Sequence, residues 1–293
     1  MIKVFGSEID GVYTEGHKVE AIYTGGVKVW PSTPVSSVYY IRWWPKSASG
    51  EFKINGETHN LQDYNGYYSG PFLTTSITSP YGASYVVSYI DSGAFAGTSI
   101  IGVETNLVYV SHSAFANCSS LKYVSMPKVS VMRAEVFSSC TSLTYIELPN
   151  LWEMPLSVFN DCTNLRDASF AKCIRMVPTM FVADAFAHCS NLTNVYMPMC
   201  SNLGSYAFAW CGLISIELPA CRVIQEYAFQ NCSKFRTLVL EGSSVVTLYD
   251  SAFSGTRLKS SVGAIYVPSS LVSDYKVASR WSDYASHIYP ITE

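Results

Sequence analysis

Nine cysteines and five histidines are the side chains of this 293-residue chain best equipped for chemistry, as zinc ligands, redox thiols or a nucleophile and its base. Their spacing points away from all three. No CxxC or HxxxH pair supplies two ligands from one turn, so a metal site is not expected. Of His17, His59, His112, His188 and His287, only His188 adjoins a cysteine. Neighbours on an extended chain face opposite sides, which separates His188 from Cys189 as base and nucleophile. GxSxG, HExxH, GxGxxG and GxxxxGK patterns do not occur. The sequence therefore nominates no catalytic residue, no metal ligand and no cofactor, and enzyme activity is not expected.

The cysteines instead follow a register. Cys118, Cys140, Cys162, Cys189, Cys211 and Cys232 each stand three residues after a phenylalanine, in a slot that holds Thr98 and Thr256 in the outer units. Cys173, Cys200 and Cys221 form a second column, in a slot shared with Val129 and Leu151. A slot open to valine and leucine is a core slot, and a free thiol packs there as a small hydrophobe. Stacked side chains point the same way and the count is odd, so the thiols are expected to be free.

What sets this register is a repeat. A phenylalanine preceded by a small or β-branched residue recurs at Phe95, Phe115, Phe137, Phe159, Phe186, Phe208, Phe229 and Phe253, at separations of 20 to 27 residues. Each unit continues through a leucine into a short strand that typically ends in proline: YVSMP, YIELP, NVYMP, SIELP, IYVP. A strand this short cannot fold back on itself, so it must pair in parallel with its next copy, about 4.8 Å away. Alternation then turns Val124 and Met126 inward and Tyr123 and Ser125 outward. Units of this kind bury their apolar faces only by stacking.

The pattern AFxxCxxLxxVxMP, followed by an apolar residue two positions after the proline, resembles the BspA-like leucine-rich repeat family from about Ser76 to Pro268, and the ending IYVPSSLVSDYKVASRWSDYASHIYPI resembles the family's usual C-terminal end. The resemblance implies a β-rich leucine-rich repeat solenoid of the α/β repeat class with parallel single-strand rungs, found mostly on bacterial surface and phage-associated proteins and linked to adhesion or protein binding. The expected organisation is a small β-hairpin module over 1–34, a β-hairpin cap over 35–75, about eight repeats over 76–262 and a C-terminal cap over 263–293. In the last, Ser269 or Ser270 is expected to cap a short helix that carries Leu271, Tyr275 and Ala278 on one face. Within the first module, VEAIYTGGVKVWP resembles a short N-terminal module of bacteriophage structural proteins. The second carries an Asn55–Gly56 hairpin signal and the aromatics Trp43, Trp44, Tyr64, Tyr67 and Tyr68, which either stack on a sugar or, as favoured here, cover the first rung. Three departures stand out: extra residues around Pro178 to Val182, a unit ending LVLEG without proline, and degenerate rungs near Ile77 to Val110. Insertions in solenoids usually emerge on one face.

Charged residues are 14% of the chain, against about 25% in an average soluble protein, and the net charge is −3. That provides no basic field for nucleic acid. No apolar run reaches the ~18 residues needed to cross a bilayer, and the first residues lack the features of a secretory signal. Localisation is left open between cell surface, for a trimmed chain, and virion, for a phage product. The outward positions of the strands carry the functional expectation. Tyr123, Tyr145, Glu147, Asp167, Tyr196 and Glu217 form two columns of aromatic and acidic side chains, a composition suited to adaptable recognition. The expected partner is a protein or glycan on a cell surface; other virion proteins are the alternative.

Overall fold

The computed structural model describes residues 92–176 and 183–292 in full, together with Ile90 and the backbone of short strands between Ile2 and Ile90. The molecule is a parallel-strand solenoid in which each turn passes once through a face strand and once through a return strand. Face strands run from Gly102–Glu104 through Tyr123–Ser125, Tyr145–Glu147, Asp167–Ser169, Asn194–Tyr196, Ser215–Glu217 and Thr237–Val239 to Ala264–Val267. Their pairing is parallel, with registers such as Gly102↔Tyr123, Tyr145↔Asp167 and Thr237↔Ala264. Two-residue return strands, among them Val131–Met132, Glu153–Met154 and Val223–Ile224, form a second parallel ladder. The repeat pattern does not separate this second strand, because two residues are too few to show alternation.

Between return strand and face strand the chain turns about the marker phenylalanine. The backbone is left-handed two residues before and two after it, as at Ser113 and Asn117 around Phe115, or Tyr206 and Trp210 around Phe208. Alternate N–H groups in this turn reach the next rung: Ser113, Phe115 and Asn117 donate to the carbonyls of Ala134, Val136 and Ser138 at 3.0, 2.9 and 2.7 Å. The turns are thus a third ladder, which satisfies buried backbone groups that no helix or strand would. Left-handed backbone costs an L-residue about 1–2 kcal/mol, which explains why glycine, asparagine, aspartate and serine recur two residues from the phenylalanine.

The phenylalanines stack through the interior. Ring centroids of successive markers lie 5.3, 5.5, 5.7, 5.2, 5.2, 5.4 and 5.5 Å apart from Phe95 to Phe253. The extra residues between Phe159 and Phe186 do not open the stack, which keeps 5.2 Å there; Pro178 to Val182 themselves lie outside the described residues. All nine cysteines are free and buried, as expected, with one refinement. The first column does more than fill space: Cys118, Cys140, Cys162, Cys189, Cys211 and Cys232 each donate S–H to the phenylalanine carbonyl of the preceding rung, at 2.9–3.2 Å. Thr98 and Thr256 donate to Phe95 and Phe253. The slot therefore selects a small donor.

The last rung ends on backbone groups with no further rung to meet. Trp281 donates Nε1–H to the Val246 carbonyl at 2.7 Å, and the Val246 N–H donates to the Tyr275 hydroxyl at 3.1 Å. Both rings are buried, edge to face at 5.1 Å. Tyr275 sits on the α-helix Val272–Val277 and is buried in the core, against which Leu271 and Ala278 also pack. The serine cap expected for this helix is not formed: Ser269–Leu271 make a 3-10 turn, and the α-helix starts after Leu271, whose side chain has no oxygen to offer. Towards the other end, Ile22–Thr24 pairs antiparallel with Val27–Trp30, a hairpin within 1–34, and Glu51–Ile54 with Glu57–Asn60, the hairpin expected around Asn55–Gly56. Ser84–Ile90 pairs antiparallel with both Ser76–Thr78 and Glu51–Ile54, while parallel stacking includes Phe72–Leu73 and Gly102–Glu104. The aromatic side chains of residues 43–68 lie outside the described residues.

Candidate binding face

On each face strand the central residue is apolar and the two flanking it turn outward, because side chains alternate across a sheet. Val124, Ile146, Ala168, Ile216, Leu238 and Ile265 are buried, and Val195 is half-buried. Tyr123, Tyr145 and Tyr196 are exposed at 49, 47 and 58%. Glu147 and Glu217 are exposed and Asp167 is half-buried. Two contacts order the row. The Tyr145 hydroxyl donates to Glu147 Oε2 at 2.7 Å, which raises the tyrosine pKa because ionisation would place a second negative charge beside the carboxylate. Asn194 Nδ2 donates to Asp167 Oδ1 at 2.6 Å.

The face is not uniform. A depression of about 350 Å³ opens across the strands Tyr145–Glu147 to Ser215–Glu217, floored by Ala168, Val195 and Ile216. Four of the six expected residues line it: Tyr145, Asp167, Tyr196 and Glu217. Tyr123 lies outside it, and Glu147 reaches it only by holding Tyr145. Thr193, Met197, Pro198 and Pro219 also line it and were not singled out as outward residues from sequence, whereas Ser215 belongs to the same outward column as Tyr145 and Asp167.

The depression lies beside a shortened rung. Cys211 is followed by leucine after two residues, at Leu213, whereas Cys118, Cys140, Cys162 and Cys189 need three. Gly212 takes up the deletion by lying so close to the preceding rung that a Cβ there would meet the Ser190 carbonyl oxygen. Beyond it, Ser215–Glu217 pairs with Thr237–Val239 but not with Asn194–Tyr196. Pairing also lapses between Tyr123–Ser125 and Tyr145–Glu147, yet Val124 and Ile146 stay buried there. At the lapse beside Gly212 the floor opens to leave Val195 half-exposed; the same two-residue spacing from Thr98 to Ile100 leaves Gly102–Glu104 paired on both sides and Val103 buried, so the shortening does not open a floor by itself.

The groups able to do chemistry lie elsewhere. Burial pushes the Cys118 thiol up to about 11 and those of Cys173, Cys221 and Cys232 up to about 12, so they are protonated and weak nucleophiles. His188 stacks on Trp210 at 4.7 Å, both in marker turns rather than on the face strands. Among the described residues no three His, Cys, Asp or Glu side chains converge as a metal site, and no helix is long and apolar enough to cross a membrane.

Parallel rungs, stacked phenylalanines and an outward row of tyrosines and carboxylates define a leucine-rich repeat protein with a sheet-borne candidate recognition face. The chain belongs to the BspA type leucine rich repeat family, whose model matches it in 6 copies over residues 68–184 and 179–272. No curated protein matches it. Solved structures similar to it include a leucine rich repeat protein of T. pallidum (19% identity, 64% of this chain and 77% of that one, TM-score 0.41). A leucine rich cell surface protein of Faecalibacterium prausnitzii is 14% identical over 80% of this chain and 76% of its own, with a TM-score of 0.36. A leucine-rich repeat protein of Bacteroides ovatus is 17% identical over 83% of this chain and 98% of its own, at 0.34.

Proposed function

We infer that this protein is a non-enzymatic recognition or adhesion protein that binds a surface protein or glycan through its sheet face. The observation that carries the reading is the depression, which gathers Tyr145, Asp167, Tyr196 and Glu217 on a parallel ladder. Tyrosines give large contact area at low entropic cost, and carboxylates fix orientation. Solenoids commonly bind along such extended surfaces. In this reading residues 1–34 and 35–75 are the attachment and capping modules of one end, and 263–293 closes the other. The test is a glycan array and a cell-binding assay with the full chain and its Tyr196→Ala variant. Saturable binding that the folded variant loses is expected; binding retained by Tyr196→Ala and by Tyr145→Ala would remove the sheet face from the account.

A second reading, a virion component docked through residues 1–34, draws on the VEAIYTGGVKVWP segment, whose strands Ile22–Thr24 and Val27–Trp30 form a hairpin. Tail or capsid genes beside the coding sequence would support it; their absence from the locus would count against it.

A further inference from the structure

The depression carries charge of one sign. Asp167 and Glu217 line it, and no lysine, arginine or histidine does. Neither acid is neutralised by the protein: Asp167 shares one oxygen with the Asn194 amide, Glu217 has no hydrogen-bond partner among the described residues, and no ion pair joins either to a cation there. Arg166 stands just before Asp167, exposed at the entry to its strand, and is not among the lining residues. Tyr145 and Tyr196 also line it, and the Tyr145 hydroxyl is held by Glu147, a third carboxylate at the edge of the depression.

Aromatic faces beside a free carboxylate are the surroundings in which this protein already holds an arginine of its own. On the return strands the Arg175 guanidinium lies over the Trp152 ring at 5.9 Å while Nε donates to Glu153 at 2.7 Å. Arg133 lies over Tyr109 at 5.8 Å, with Nε donating to the tyrosine hydroxyl at 3.3 Å. The depression repeats the first of these combinations, ring and carboxylate, without an arginine among its lining residues.

We propose that the depression receives an arginine or lysine side chain from an extended segment of a partner protein. Glu217 and Asp167 accept its charge-assisted hydrogen bonds, and Tyr145 and Tyr196 cover its apolar stem and cationic head. Arginine is preferred to lysine, because a planar guanidinium both stacks on a ring and presents two parallel donors to a carboxylate. This names the partner class for the sheet-face reading and rests on it.

The experiment titrates the full chain by calorimetry with four probes: hexa-arginine, hexa-citrulline of the same shape without charge, hexa-glutamate and cellohexaose. Hexa-arginine is expected to bind, hexa-citrulline at least tenfold more weakly, and hexa-glutamate not at all. Glu217→Gln should weaken hexa-arginine about tenfold, the loss of one charge-assisted contact. Asp167→Asn should do the same, while Glu135→Gln, on a marker turn, should leave it unchanged. Equal binding of the citrulline peptide overturns the proposal, and so does an equal response to Glu135→Gln and Glu217→Gln, which would mean diffuse attraction to an acidic protein. Cellohexaose binding that Tyr196→Ala abolishes would overturn it too, while leaving the sheet-face reading standing. If no probe responds to any sheet-face variant and cell binding survives them all, both fall.

Discussion

Replacing Phe137 by alanine should separate the stacking role of the interior from the recognition role proposed for the surface. Phe137 is fully buried, with its ring between Phe115 at 5.5 Å and Phe159 at 5.7 Å and within 9° and 4° of parallel to them. Deleting a buried phenylalanine side chain costs roughly 3–5 kcal/mol, and each aromatic pair adds about 0.5–1.5 kcal/mol beyond its area. Collapse around the cavity would recover only part of the loss, because the rungs are held at fixed spacing by three backbone ladders. The expected value is therefore at the upper end, about 4–5 kcal/mol. Tyr145, half exposed and tied only to Glu147, should cost less than about 0.5 kcal/mol when changed to alanine. Urea unfolding followed by far-UV circular dichroism reads both. A loss under about 1.5 kcal/mol at Phe137, or equal losses at the two sites, would refute the assignment of inside and outside.

Other expectations follow from the same geometry. Cys140→Ala should cost about 1–2 kcal/mol by removing the S–H bond to the Phe115 carbonyl and leaving a small void, and Cys140→Thr, which keeps a donor, should cost less; a threonine variant no better than alanine in urea would show that the slot selects size alone. Gly97, at φ 70 with no heavy atom within 4 Å of the place a Cβ would occupy, should lose about 1–2 kcal/mol on change to alanine through backbone conformation only, and an unchanged midpoint would contradict the left-handed turn. Alkaline titration is a further check: burial raises the Cys118 thiol from 9.0 to about 11 and those of Cys173, Cys221 and Cys232 to about 12. Folded values lie above unfolded ones, so stability is intact below pH 9.0 and falls as pH rises towards 11, by about 1.4 kcal/mol per pH unit for each such thiol. Cys173→Val should flatten that fall, and urea midpoints that hold constant between pH 9 and 10 would contradict the burial.

How much of this could be read from the sequence depended on whether a feature repeats. Phe115, Cys118, Leu121 and Val124 recur in register, so the stacking core, the free thiols and the outward position of Tyr123 and Ser125 were all legible. The left-handed turns were legible in principle, since Gly97, Asn117, Asp161 and Asn231 all stand two residues after the marker. Trp210 in the same slot, and Tyr206 and Tyr227 in the left-handed slot two residues before the marker, hide the rule, because bulky residues rarely adopt that conformation. The depression was the least legible feature: it lies where pairing between Asn194–Tyr196 and Ser215–Glu217 lapses beside Gly212, while the same two-residue spacing at Thr98–Ile100 leaves the ladder intact. Likewise, Trp281 and Tyr275 close the last rung on Val246, a partnership 35 and 29 residues apart that no local pattern announces.

The claim that recognition runs through the sheet face is tested most directly by photo-crosslinking. The full chain carrying benzoylphenylalanine in place of Tyr196, or in place of Trp210 on a marker turn, is applied to intact cells, irradiated and recovered. A discrete covalent adduct is expected from position 196, suppressed by excess unlabelled protein, and none from position 210. Adducts from position 210 with none from 196 would contradict the claim.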